Sequence, residues 1–221
     1  MKKTYLFLYV FMLVFVFLVG CSRGEPVVFT DNYFEDVVKN NLDNKEGTIF
    51  TSDLKNMDEL YIYGEKEHFK LLPEYTDGSS NINSIEEIEY MKNLEKLVVS
   101  NIDIIVDLEV ISELENLKML EITGTNIRDI DVFSSLTSLE TLILNNNRIE
   151  DISSLAYLNN LRILLLEGNN IQDISSLKFL DDLVYLNLEG KVQSFETNED
   201  YIHIQYPYSQ ISVTTYHHVM S

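Results

Sequence analysis

The 221-residue chain holds a single cysteine and three prolines, and its 36 acids face only 16 lysines and arginines. One cysteine excludes an intrachain disulfide framework and any zinc site built on a cysteine pair. So few prolines, beside 45% hydrophobic residues, exclude a globally disordered chain. The length suits one domain with appendages. The shortage of cations, with a net charge of −20, argues against nucleic-acid binding, which needs a basic surface for phosphates. It argues equally against electrostatic docking on anionic lipid. Any membrane attachment then has to be hydrophobic or covalent.

Catalytic signatures are missing as well. There is no P-loop, GxSxG, HExxH or glycine-rich dinucleotide turn. The four histidines are His68, His203, His217 and His218. The adjacent pair would point to opposite faces of a strand, so it reads as exposed polar surface rather than a metal site. Acid pairs such as Asp181-Asp182 and Glu86-Glu87 read as a solvated acidic face. No DxDxDG loop is present to make calcium binding specific. The sequence predicts no catalytic residue, no metal and no cofactor.

Residues 1–20 stand apart. Lys2 and Lys3 precede the uncharged apolar run Tyr5 to Val19, and then come Gly20 and Cys21. The stretch Leu18-Val19-Gly20-Cys21 resembles a bacterial lipobox, where a signal peptide is cut before a cysteine that carries diacylglycerol. The alternative is an uncleaved anchor, for which a span needs roughly 20 apolar residues. The expectation is a signal peptide at 1–20, a lipid on Cys21, a polar tether at 21–26 and a place outside the bacterial cell membrane.

The body of the chain repeats. Leu120-Glu-Ile122, Leu142-Ile-Leu144, Leu164-Leu-Leu166 and Leu186-Asn-Leu188 follow one another at a period of 22. Leu97-Val-Val99 precedes them by 23, and Leu60-Tyr-Ile62 precedes that by 37, so one early unit carries an extra segment at 64–81. Ile149-Glu-Asp151-Ile152-Ser-Ser-Leu155 recurs as Ile171-Gln-Asp173-Ile174-Ser-Ser-Leu177, and Ile127-Arg-Asp129-Ile130 is a variant. Leucines then step by three: Leu155, Leu158, Leu161 and Leu177, Leu180, Leu183. Asn147 and Asn169 follow the second strand leucine by three, with Thr125 in that place one unit earlier.

This unit, LxxLxxLxLxxNxIxDISxL, resembles the leucine-rich repeat in the 22-residue form of bacterial internalin-like surface proteins. The match runs over roughly residues 54–190. Ile102 departs from it, taking the asparagine's place after Leu97. The implied fold is α/β: a solenoid with parallel strands on its concave face, a helical N-terminal cap at 27–53, repeats over 54–192 and a β-type C-terminal cap at 193–221. Alternation turns the LxL leucines inward. The asparagines suit inward backbone groups at a bend. Asp129, Asp151 and Asp173 suit N-caps of short convex segments, and leucine steps of three favour 3₁₀ turns there. Thr30 or Asp31 caps a helix bearing Phe34, Val37, Val38, Asn41 and Leu42. At the other end Tyr201 to Tyr206, Ile211 and Val213 alternate as strands.

The resemblance implies a non-enzymatic protein-recognition module. The alternative is a structural or envelope-organising surface protein with no ligand on the concave face. Strand residues between the inward leucines face outward: Tyr61, Tyr63, Lys96, Val98, Met119, Glu121, Thr141, Ile143, Ile163, Leu165, Tyr185 and Asn187. The candidate protein-binding residues are Tyr61, Tyr63, Val98, Ile143, Ile163, Leu165, Tyr185 and Asn187. Ile143, Ile163, Leu165 and Tyr185 are expected to form one apolar patch, with Tyr185 as its anchor. The extra segment, with Phe69, Leu71, Leu72 and Tyr75, is the second candidate.

Overall fold

The computed structural model describes residues 24–42, 46–64, 82–102 and 108–188, and the backbone of Ile211–Ser212. The signal segment with Cys21, the extra segment from 65 onward, Tyr201 to Tyr206 and all four histidines lie outside the described residues.

Seven strands form one sheet in sequence order, each pairing in parallel with the next. They are β1 Glu59–Tyr63, β2 Lys96–Ser100, β3 Met119–Thr123, β4 Thr141–Ile143, β5 Ile163–Leu165, β6 Tyr185–Asn187 and β7 Ile211–Ser212. The repeat period fixes the register: Leu60, Leu97, Leu120, Leu142, Leu164 and Leu186 are successive partners. All six are buried. Full burial of one such side chain is worth roughly 1.5–3 kcal/mol, and no unit can bury its own without a neighbour.

Opposite the sheet run the 3₁₀ turns Glu86–Tyr90, Leu108–Glu113, Asp131–Ser135, Ser153–Tyr157 and Ser175–Phe179. Their leucines at steps of three close the core from that side. The aspartates sit one residue earlier than an N-cap. Asp129, Asp151 and Asp173 accept the N–H two residues on, at 2.9, 2.8 and 2.8 Å. The cap position belongs to Ile130, Ile152 and Ile174, which offer no side-chain bond. Those isoleucines are needed in the core, so the capping carboxylate moves one residue out. The second serine of the Ser-Ser pair reaches back one unit: Ser154 Oγ donates to Ile130 O and Ser176 Oγ to Ile152 O.

A second polar column runs inside the bend after the strands. Asn147 Nδ2 donates to Ile122 O and Leu144 O, and Asn169 Nδ2 to Leu144 O and Leu166 O, so each amide ties two units together. Asn147 Oδ1 accepts from Thr125 N and Thr125 Oγ1, and Asn169 Oδ1 from Ile149 N.

The N-terminal edge is closed by the helix Asn32–Asn41, capped by Asp31, whose carboxylate accepts from Phe34 N at 2.9 Å. Phe34, Val37 and Val38 are its buried residues. Its Asn41 amide receives Tyr61 N and donates to Tyr61 O, taking the place of a further strand beside β1. Glu25 and Pro26, which the sequence places in the tether, are held against the body. Pro26 bridges Phe50 antiparallel, and Thr51 N donates to Glu25 O. Leu54, the expected first repeat residue, lies in the short helix Thr51–Lys55. At the far edge β7 pairs alongside β6, with Ile211 opposite Leu186. Among the described residues no helix is long and apolar enough to cross a membrane.

Candidate functional site

The register sorts the outward strand positions into rows running across the sheet. One row reads Glu59, Lys96, Met119, Thr141, Ile163, Tyr185. The next reads Tyr61, Val98, Glu121, Ile143, Leu165, Asn187. A third, confined to the longer strands, holds Tyr63, Ser100 and Thr123. Seven of the eight candidate residues keep side-chain surface at these positions. Val98 does not: it is 4% exposed and leaves the candidate set. A short valine between the longer Tyr61 and Glu121 lies at the bottom of its row.

The two halves of the face differ in chemistry. Toward β1 the side chains are engaged with one another. Tyr61 donates its hydroxyl to Glu59 and accepts from Lys96 Nζ at 2.8 Å. The Lys96 ammonium also lies 4.9 Å from the Tyr61 ring centre, and that ring stacks on Tyr63 at 6.2 Å. The hydrogen bond to Tyr61 holds the Lys96 ammonium above its usual range despite partial desolvation. Burial pushes the Tyr63 phenol up; Glu121 and Tyr61 act in the same direction and Lys96 against it.

Toward β6 the face is apolar. Ile143 pairs with Leu165, and Ile163 with Tyr185. Ile163 is 37% and Tyr185 40% exposed, while Ile143 and Leu165 are half-buried. The four residues on three neighbouring strands form one continuous strip. Its far neighbour is β7, which extends the sheet beside β6, with Ser212 paired to Asn187.

Two further features of the face come from the stacking of units. Glu167, two residues past Leu165, accepts from Asn187 Nδ2 at 3.4 Å and so belongs to the same face. The equivalent positions Asn101, Gly124, Asn146 and Gly168 all have left-handed backbone, with φ of 55, 65, 56 and 73°. Asparagine and glycine alternate because each asparagine side chain lies over the next unit's glycine. A Cβ on Gly168 would come 2.4 Å from Asn146 Oδ1, and one on Gly124 2.8 Å from Asn101 Oδ1. The alternation is legible in the sequence once the period is known. Among the described residues no three histidine, cysteine or acidic side chains are grouped to hold a metal ion.

The repeat, the single parallel sheet and the facing 3₁₀ turns define a leucine-rich-repeat solenoid. A sequence profile for leucine-rich repeats in two copies matches residues 115–157. Among solved structures, an internalin (inlF) from Listeria monocytogenes superposes with a TM-score of 0.58 at 22% identity, over 77% of this chain and 54% of that one. An internalin C2 (inlC2) from the same species superposes with a TM-score of 0.56 at 22% identity, over 79% of this chain and 82% of that one. This chain thus spans about half the length of the inlF chain. At such identity the likeness is one of fold. No curated protein sequence matches the chain.

Proposed function

We propose that the chain is a non-enzymatic protein-recognition module that binds its partner on the concave sheet face and is held outside the bacterial cell membrane by a lipid on Cys21. The observation that carries the binding reading is the apolar strip in which exposed Ile163 and Tyr185 stand beside half-buried Ile143 and Leu165, on a chain of net charge −20. Aliphatic side chains exposed together on an acidic surface mark interaction sites. A purely structural spacer has no use for them there. Tyr185 is the anchor, an amphipathic ring with few rotamers to freeze on binding. The tether reading rests on the order of Lys2-Lys3, the apolar run and Gly20-Cys21.

Affinity capture from envelope extracts with the full chain, compared with Leu165→Ser/Tyr185→Ala, tests the binding reading. The variant should keep its circular dichroism spectrum and lose the captured partner; a folded variant that retains it moves the site off this face. Labelling with a radioactive fatty acid tests the tether. Wild type should take up label and Cys21→Ala should not; an unlabelled wild-type protein overturns the lipid anchor.

A further inference from the structure

Two acids flank the apolar strip, one within its row and one reaching that row from the bend after β5. Glu121 is the register neighbour of Ile143 on the β3 side. Beyond Leu165 stands Asn187, and the Glu167 carboxylate lies against it. Lys39–Glu35, Lys92–Glu113 and Lys118–Glu95 are ion pairs among the described residues, and neither Glu121 nor Glu167 is in one of them. The nearby cations are placed elsewhere. Lys96 is bonded to Tyr61, and Arg162 lines a polar recess with Glu95, Lys118 and Glu140 at the rim where the strands begin. An uncharged partner covering the strip would desolvate two carboxylates with no cation to offset the cost. A partner with cations at those two points turns that cost into complementarity, and the net charge of −20 draws it in from a distance.

Resting on the reading that this face binds protein, we infer that the ligand is an extended peptide segment bearing Lys or Arg on each side of an aliphatic residue. The geometry sets the spacing. Neighbouring strands lie about 4.8 Å apart, so the step from Glu121 on β3 to Asn187 on β6, against which the Glu167 carboxylate lies, is about 14 Å. An extended chain advances roughly 3.3 Å per residue and presents every second side chain to one face. The segment crosses the strands with cations at positions i and i+4, and the aliphatic residue at i+2 meets Ile143 and Leu165.

The test uses the full chain in nonionic detergent over three immobilised peptides. One is Gly-Ser-Lys-Ser-Leu-Ser-Lys-Ser-Gly, the second replaces both lysines by glutamate, and the third keeps the composition but sets both lysines before the leucine. The first should bind, the second should not, and the third should bind less tightly than the first. Glu121→Gln/Glu167→Gln should weaken binding of the first about five- to tenfold, and added salt should weaken the wild-type interaction. Equal binding of the basic and acidic peptides, no binding of any, or an unchanged affinity in the double variant overturns the inference. The two readings fail separately. If Leu165→Ser/Tyr185→Ala loses the captured partner while the glutamate variant is silent, the peptide chemistry is wrong and the face is right. If partner capture survives Leu165→Ser/Tyr185→Ala, the face itself is wrong.

Discussion

The repeats at β1–β3 and those at β4–β6 solve one problem in two ways. A parallel strand must end, and the backbone groups at its end must find partners. In the first half the strands run five residues and stay paired to their last residue. Ile102 occupies the bend there, and it is buried. In the second half the strands stop at three residues, and the amides of Asn147 and Asn169 take over the carbonyls of Ile122, Leu144 and Leu166. Thr125 marks the changeover: its hydroxyl donates to Asn147 instead of reaching a carbonyl of its own. The outer face changes with the inner one. The longer strands carry the Glu59–Tyr61–Lys96 cluster with its internal bonds, and the shorter ones carry the partly exposed apolar strip. Regular repeats leave their outward positions free to vary, because the inward leucines and asparagines already hold the register.

The comparison breaks most severely at the asparagine column. Asn169→Leu should cost about 2–6 kcal/mol in urea unfolding, since Leu166 O loses its amide and Ile149 N its acceptor, at roughly 1–3 kcal/mol for each orphaned buried group, while Leu144 O keeps the Asn147 amide. Ile102→Asn in the first half should give no matching gain, because no second column asparagine stands beside it. A stabilisation there would show that the two halves are interchangeable.

Next comes the core. Leu164→Ala should cost about 2–5 kcal/mol, the usual range for large-to-small changes at buried sites. Its outward neighbour Leu165→Ala should cost far less, and equal losses in thermal melts would shift the strand phase by one residue.

A smaller effect sharpens the alternation of asparagine and glycine. Gly168→Ala should cost about 1–2 kcal/mol, from the left-handed backbone and the approach of Asn146 Oδ1. In an Asn146→Gly background part of that cost should disappear, because the crowding oxygen is gone. A double-mutant cycle reads the difference, and strict additivity would assign the whole penalty to the backbone.

The smallest effect concerns the convex turns. The Ser153 N–H and hydroxyl hold the Asp151 carboxyl below its ordinary 3.8. A depressed folded value means that the ionised form stabilises the turn above the unfolded pKa and that this contribution is lost as pH falls through the folded one. Asp151 is exposed, so solvent screening keeps its share small. Asp151→Asn should therefore lower the melting temperature slightly at pH 7, and the gap from wild type should close below pH 3.8. A gap that widens in acid would reverse the assignment.

The period of 22, the inward leucines, the column of Asn147 and Asn169 and the capping helix were legible in the sequence. Each rests on a local rule repeated until chance is excluded: alternation in a strand, steps of three in a 3₁₀ turn, an amide at a bend. Near misses came where two local rules competed for adjacent residues. The aspartates cap from one position earlier because the isoleucines after them are claimed by the core. Val98 alternates outward like its neighbours yet is shielded by them, and side-chain length across strands is not a property of any one segment. Glu167 reached the face through Asn187, 20 residues on, a juxtaposition set by the stacking of units. The sequence by itself therefore determined the repeat, its phase and its core, because those follow from what each unit must bury. Only the tertiary structure decided which outward residues meet, since rows across a sheet join residues 22 or more apart through register. It is that stacking which set an apolar strip between two carboxylates that form no ion pair among the described residues.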